Sequence, residues 1–397
     1  MSSYTIPAKA IVTYTDQDWR LQNVLCREPG PNELLVKMVA VGICHTDISN
    51  VGGIYPRILG HEGAGYILRK GPQCSEELAG GDPVLTSFAY CKRCHMCKTG
   101  HPAHCRDQIP LTIQGQDQNF ALADGEGEHE RLEDDGFGKK RVIKASYFGH
   151  SSFSSIALVK ESSVVPVKTL IESEAELKIF APLGCGIQTG ACAVVNMIKP
   201  DPAMDSIAVF GLGGVGLSAV MAASALGVKT IIAVDILPNR LQLAQELGAS
   251  HTISSKGLLK EQLTSAIRGL EPFDPERAGE EAPFGPTGIV DTTGVPSLLQ
   301  AALASVDRLG RVVQLANQGP GTSVTVGLPE HMRDGVQLVG TIQGDAVASK
   351  SIPMLIKWYR EGKLPLEKLE KFFKAEDFEQ ARHEMHAGGT IKPVLTW

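Results

Sequence analysis

The stretch Ser206–Val228, SIAVFGLGGVGLSAVMAASALGV, decides the fold class of this 397-residue chain. SIAVF reads as a buried strand, GLGG as a tight turn, and the remainder as an apolar helix. The next segments repeat the alternation. TIIAVDI (230–236) reads as a strand, and NRLQLAQELGA (239–249) has apolar residues at helical spacing. HTIS and GIVDTTG then look like further short strands with a helical segment between them. Strand–helix alternation of this kind predicts a doubly wound parallel sheet with crossover helices, an α/β unit. Gly211-Leu212-Gly213-Gly214-Val215-Gly216 satisfies G-x-G-x-x-G in the context that gives the motif meaning, after a strand and opening a helix. Gly211 allows the turn, and Gly213 lets a pyrophosphate approach the backbone at the helix N-terminus, where free N–H groups favour an anion. Gly216 allows close helix–strand packing. Asp235 falls at the end of the second strand, where a carboxylate accepts from ribose hydroxyls and repels a 2′-phosphate. That favours NAD over NADP, with Arg240 close by as a partial offset. The competing reading is a Gly-rich turn of an α/β domain that binds no nucleotide.

Outward from this core the composition is that of an ordinary globular protein. Hydrophobic residues are 43%, charged residues 21%, and the formal net charge is −6. That mild acidity argues against affinity built on nucleic-acid phosphates. The first hundred residues are strand-rich, with AKAIVTY, NELLVKMVAVGI and GAGYILRK as short apolar or alternating runs. Strand signals return in SSFSSIALVK and SSVVPVK, with loop-like sequence after Cys105. Residues 124–141 are heavily charged and residues 271–288 are rich in Pro, Gly and Glu; both read as exposed insertions, within 107–145 and 271–288. No segment reads as a signal peptide or membrane span, so a cytoplasmic location and no membrane partner are expected.

The nine cysteines, an odd number, do not read as a disulfide framework. Cys91, Cys94, Cys97 and Cys105 put four thiols within 15 residues, a spacing that supplies a closed tetrahedral zinc site. An iron–sulfur cluster is the rival for such spacing. Ligand-type residues also occur in GICHTD (Cys44), GHE (His61, Glu62) and PLGCGIQTG (Cys185). Residues from separate segments can form a three-ligand zinc site with an open fourth position, and spacing alone equally allows Cys44 and Cys185 to be small core residues.

Taken in order, GICHTD, GHE, the four-cysteine loop, PLGCGIQTG and VFGLGGVG resemble the zinc-dependent alcohol dehydrogenases of the medium-chain dehydrogenase/reductase superfamily. GHPAHC, SSFSSIALV and PLGCGIQTGA are most similar to the aryl (benzyl-type) members. The resemblance implies a GroES-like, β-rich catalytic domain (1–186 and 343–397) and a Rossmann cofactor domain (187–342). It implies two zinc ions per chain: a catalytic one on Cys44, His61 and Cys185, with Glu62 behind it, and a structural one on the four-cysteine loop. Cys26, Cys74 and Cys192 are left as ordinary thiols. Thr46 matches the hydroxyl that takes the alcohol proton, and Asp47 matches a carboxylate that orients His61. His45 matches a pyrophosphate contact, Thr189 and Val215 match nicotinamide-lining positions, and Lys392 stands where the family has an arginine on cofactor phosphate. The family's relay ends at a histidine where this chain has Ser49, a residue that takes up no proton near neutral pH.

These matches imply NAD-linked hydride transfer to and from a primary, aromatic or allylic alcohol or aldehyde, by a homodimer or homotetramer. Two alternatives are a reductase of activated C=C or C=N bonds and a non-enzymatic dinucleotide-binding protein. Ile54-Tyr55, Ser87-Phe88 and Gln343 are the candidates for pocket walls.

Overall fold

The computed structural model describes residues 4–49, 54–123, 142–270, 284–316, 319 and 321–397. The charged run 124–141 and residues 271–283 of the second insertion lie outside them. The chain divides into two compact units. One comprises Met1–Cys185, Val347–Ile356 and Leu366–Trp397; the other comprises Gly186–Ala346 and Lys357–Pro365.

The first unit carries two β assemblies. Strands Tyr4–Thr13, Trp19–Arg27, Asp117–Leu122, Val142–Ala145 and Arg57–Ile58 close into a barrel. Its interior is a cluster that includes Ile11, Val24, Leu59, Phe120, Ile143 and Phe153. Asp117–Leu122 and Val142–Ala145 occupy the region read as loop. The first of them ends in four consecutive buried residues, so no alternation marks it in the sequence. The second assembly is a sheet in which Glu62–Lys70, Glu33–Gly42 and Lys392–Thr396 are neighbours. Its register sets Gly42 opposite both Glu62 and Val394. Three distant segments, around residues 44, 61 and 392, therefore emerge at one end of the same strands.

The second unit is a six-stranded parallel sheet in which Ser206–Phe210 lies between Thr230–Asp235 and Gly288–Asp291. His251–Ser254 pairs beyond Thr230–Asp235, and Arg311–Gln314 and then Gln337–Gly340 extend the other side. The strand order reverses direction at Ser206–Phe210, as in doubly wound nucleotide-binding folds. Ser206–Phe210 is buried along its whole length, as a central parallel strand must be. Helices Gly214–Leu226, Pro238–Glu246, Lys260–Arg268 and Pro296–Ser305 supply the crossovers. Gln337–Gly340 is an edge strand, largely exposed. No helix among the described residues is long and apolar enough to cross a membrane.

Candidate functional site

Cys44, His61, Glu62 and Cys185 each present a ligand atom, and these atoms all lie within 4.8 Å of one another. His61, Glu62 and Cys185 are buried and Cys44 is half-buried. Cys44 ends the extension of strand Glu33–Gly42, and Glu62 begins its antiparallel neighbour. Cys185 arrives from a short helical turn, Ala181–Gly184, whose last carbonyl accepts the Ser87 hydroxyl at 2.6 Å. Ser87, a suggested pocket wall, thus anchors the Cys185 arm, and its neighbour Phe88 is buried in the barrel core. The hydroxyl of Tyr55, another suggested wall residue, bonds Asp16.

His61 is oriented from both ends. Nδ1 is 2.7 Å from Asp47 Oδ1, and Nε2 is 3.2 Å from Cys185 Sγ. Asp47 is fully buried and also accepts from the backbone N–H groups of Cys44 and Gly60. A carboxylate so placed fixes the imidazole tautomer and leaves Nε2 facing the thiols. A hydrogen bond from Cys185 and the positive field of His61 hold the Cys44 thiol well below its usual range, against the opposing effect of burial. Two thiols, an imidazole and a carboxylate at this separation, with one thiol already biased toward thiolate, fit a zinc ion. The Thr46 hydroxyl lies 3.6 Å from Cys44 Sγ. His45 and Ser49 are exposed at the two ends of the helix His45–Ser49.

Lys392 does not take the place expected of it. Only 4% of it is exposed, and its amine donates to both Glu62 oxygens (2.9 and 2.8 Å) and to the Ile43 carbonyl (3.3 Å). All three donors are committed, which leaves none for a cofactor phosphate. The reason is register: strand Lys392–Thr396 runs beside Glu33–Gly42 and carries Lys392 inward, behind the thiol cluster. Burial pushes the Glu62 carboxyl up and Lys392 pulls it partly back; burial opposes charge on Lys392, but Glu62 outweighs it and raises that amine's pKa. The amine touches both carboxylate oxygens, so we read an ionised pair.

The second thiol cluster is local. Cys91, Cys94, Cys97 and Cys105 also lie within 4.8 Å of one another, held by N–H···S bonds from Cys94 to Cys91 and from Cys91 to Cys105, both 3.3 Å. Backbone amides of Arg106 and Cys97 pull Cys94 down to about 6, whereas burial and the neighbouring sulfurs push Cys97 up. Four such thiols ionise together only around a cation, which is the fit required of a closed zinc site. All nine cysteines are free of disulfides, and Cys26, Cys74 and Cys192 are buried apart from both clusters. Burial raises Cys26 to about 12 and so keeps it an inert thiol.

The glycine loop of the second unit has the geometry its motif requires. Gly211 has φ +83°, and a Cβ on Gly216 would fall 1.8 Å from the Gly211 carbonyl oxygen. Gly213 caps the helix Gly214–Leu226, and a Cβ there would meet nothing within 4 Å, so the helix N-terminus is open to an anion. Asp235 Oδ2 accepts from the Leu212 N–H at 2.6 Å and Oδ1 from the Leu237 N–H at 2.9 Å. Each oxygen keeps a lone pair for a ribose hydroxyl. Arg240 is 8% exposed, and burial lowers its pKa against the field of Asp235. Gly190 lies so close to the Val215 carbonyl that a Cβ would stand 1.9 Å away, so the helix that carries Thr189 packs tightly on the helix that carries Val215. Gln343 accepts from both Gln188 (3.1 Å) and Thr189 (3.3 Å). The loop, the helix end and Asp235 fit a dinucleotide.

Sequence analysis did not single out three residues near the first cluster. Phe148 stacks on the His61 ring at 4.2 Å, Tyr147 meets it edge-on at 5.6 Å, and the guanidinium of Arg57 lies 5.0 Å from the Tyr147 ring. Arg57 follows Pro56 within an apolar run ending in the GHE motif, and a charge in that run was the one available hint.

The chain resembles known proteins over most of its length. The family model for the alcohol dehydrogenase GroES-like domain matches residues 30–169, and that for the zinc-binding dehydrogenase matches residues 214–361. Geraniol dehydrogenase of Castellaniella defragrans is 32% identical over 376 residues, covering 93% of this chain and 92% of that protein. The crystal structure of benzyl alcohol dehydrogenase from Acinetobacter calcoaceticus superposes with a TM-score of 0.84 at 33% identity, covering 98% of this chain and 99% of that one. An alcohol dehydrogenase zinc-binding domain protein from Burkholderia ambifaria gives a TM-score of 0.84 at 34% identity, covering 98% of each chain.

Proposed function

From the premise that this chain belongs to the zinc-dependent alcohol dehydrogenases of the medium-chain dehydrogenase/reductase superfamily, we propose that it interconverts primary aromatic or allylic alcohols and their aldehydes with NAD(H). The observation that carries the reading is the Cys44–His61–Cys185 cluster with Asp47 on His61 and Thr46 beside Cys44. Zinc, when bound there, supplies Lewis acidity toward the substrate oxygen, and the nicotinamide supplies the hydride acceptor.

The chain's own residues do the rest. Asp47 holds the His61 tautomer, so that Nε2 remains a donor of electrons to the metal. Thr46 receives the alcohol proton through its hydroxyl. Ser49 stands where the family has a histidine, so the proton passes onward without an imidazole at that position. Lys392 neutralises Glu62 behind the cluster and keeps a second carboxylate charge from accumulating there. Phe148 and Tyr147 wall His61 with aromatic rings and exclude water from that side. In the second unit, Gly211 to Gly216 receive the pyrophosphate and Asp235 receives the adenosine ribose, which selects against a 2′-phosphate. Thr189 and Val215 match the positions that line the nicotinamide in this family, and His45 matches a family contact to the cofactor pyrophosphate.

The substrate class rests on two relatives named for geraniol and benzyl alcohol. Both alcohols carry the hydroxyl on a carbon next to an sp² carbon. The edge strand Gln337–Gly340, with Leu338 exposed, and the exposed Leu328 and Met332 support a homodimer or homotetramer formed through the cofactor unit. A cytoplasmic location accords with nine free thiols.

The test is NADH formation with benzyl alcohol and geraniol, with NADP in parallel, before and after zinc removal. NAD-dependent oxidation that disappears with the metal is expected. Full turnover by the zinc-free protein, or a preference for NADP, would overturn the corresponding part. An enal substrate separates the rival reaction: reduction at the carbonyl is expected, and reduction at the double bond would favour the C=C reductase.

A further inference from the structure

Among the described residues, the largest fully buried side chain is a charged one, Arg57, at 1% exposure. Burying a guanidinium is costly unless it is solvated by the protein, and packing alone would be served better by an apolar residue of similar volume. The surroundings of Arg57 are correspondingly specific. One nitrogen donates to the carbonyls of Ile113 (3.1 Å) and Gln114 (3.2 Å), and the guanidinium carbon lies 5.0 Å from the centre of the Tyr147 ring. The negative field of Asp47 also reaches it.

Tyr147 links this charge to the site. Its ring is fully buried and meets His61 edge-on, and its hydroxyl donates to the Thr46 carbonyl at 3.1 Å. The backbone around it is held in left-handed conformations, with φ +73° at Ser146 and +53° at Phe148. Such geometry costs energy and persists only where the surroundings over-determine it. Thr46 lies in a helix of five residues, His45–Ser49. A helix that short has little stability of its own, and tertiary bonds fix where its backbone sits. The Tyr147 hydroxyl is one such bond, to the peptide of Thr46 itself.

We propose that Arg57 and Tyr147 form a positioning pair: the guanidinium fixes the Tyr147 ring, and the Tyr147 hydroxyl fixes the Thr46 backbone and hence the hydroxyl that receives the substrate proton. The pair also flanks the Asp47–His61 contact, through the ring against His61 and the charge near Asp47. This inference rests on the reading of Thr46 as the proton-accepting hydroxyl of an alcohol dehydrogenase.

The test uses zinc-loaded full-length enzyme and benzyl alcohol oxidation, with kcat, KM, the pH profile of kcat, the solvent isotope effect, zinc content and Tm measured for each variant. Tyr147→Phe keeps the ring and removes only the bond to Thr46. It is expected to lower kcat about tenfold, since displacing a reacting group by an ångström costs up to about a hundredfold. KM for NAD and zinc content should stay near wild type, while the pH profile shifts and the solvent isotope effect rises as proton transfer becomes slower. Arg57→Met should reproduce both changes, and Arg57→Lys should recover part of the rate, because it keeps the charge without the planar fork. Phe378→Leu, in the barrel core against Trp19 and Phe153, is the stability control and should lower Tm with an unchanged pH profile.

Wild-type kcat and pH profile in Tyr147→Phe, with active wild-type enzyme, would overturn the positioning role and leave the functional reading intact. Losses in Tyr147→Phe and Arg57→Met that simply follow zinc content or Tm would also overturn it. A wild-type enzyme inert toward every alcohol and aldehyde tried would overturn the functional reading and this inference with it.

Discussion

Replacing Lys392 by Met tests the buried charge pair behind the thiol cluster. Met keeps most of the apolar stem, so the packing loss is small and the removed element is the ammonium that touches both Glu62 oxygens. Glu62 is fully buried, which leaves it two options. Remaining charged without its partner costs roughly 3–5 kcal/mol. Taking up a proton instead costs about 1.4 kcal/mol for each pH unit above the ordinary carboxyl value of 4.5, or about 3 kcal/mol at pH 7. The cheaper route sets the penalty, so destabilisation should be about 3 kcal/mol at pH 7 and about 1 kcal/mol at pH 5.5. The sign follows from linkage: in the variant the folded carboxyl pKa lies above its unfolded value, so the folded state binds more protons and gains relative stability as pH falls. A domain of this size loses roughly 2–4 °C of Tm per kcal/mol, so a drop of about 6–12 °C is expected at pH 7. The assay is urea and thermal denaturation of zinc-saturated protein at the two pH values, with Glu62→Gln/Lys392→Met as the second arm. The double variant removes the stranded charge and should recover most of the loss. A penalty equal at both pH values, or no recovery in the double variant, would refute the ion-pair reading.

Three other substitutions address different parts of the first unit. His150 is fully buried, its Nε2 donates to the Ser87 carbonyl at 2.9 Å, and burial together with the nearby His61 lowers its pKa to about 3. The unfolded chain therefore binds a proton near pH 6.5 that the folded chain refuses, and stability should fall by about 2 kcal/mol between pH 6.5 and 5. His150→Gln should flatten that acid limb in denaturation curves, and an unchanged slope would show that His150 does not set it. The two metal sites separate by consequence: Cys97→Ser and Cys44→Ser should each reduce zinc from two ions to one, but the first should lower Tm, whereas the second should abolish turnover with the fold retained. Zinc analysis and calorimetry on both variants check this, and two retained ions in either would contradict the ligand assignment.

What the sequence made legible is what local order determines. The strand, glycine turn and helix at 206–228 are contiguous, and the carboxylate of Asp235 stands on the very next strand of the parallel ladder. The four-cysteine loop is equally local, since its ligands need only a short chain segment to meet. Cys44, His61 and Cys185 are different: strand register and the Ser87–Gly184 contact bring them together, and spacing left the two cysteines indistinguishable from core thiols until family resemblance joined all three. The same register explains the error at Lys392. Resemblance matched Lys392 to a family arginine on cofactor phosphate, whereas pairing beside Glu33–Gly42 turns it inward onto Glu62. Arg57 and Tyr147 were missed for a related reason, because sequence patterning assigns charge to the surface and rings to the core. A motif reports the neighbours of a residue along the chain, but a buried charge is chosen by its neighbours across the fold. The residues that sequence rules misplace are therefore concentrated around the thiol cluster, where Asp47, Glu62, Lys392 and Arg57 are all at most 4% exposed. Chemistry at that cluster needs fixed charge out of water, and the local rules of folding disfavour the same arrangement.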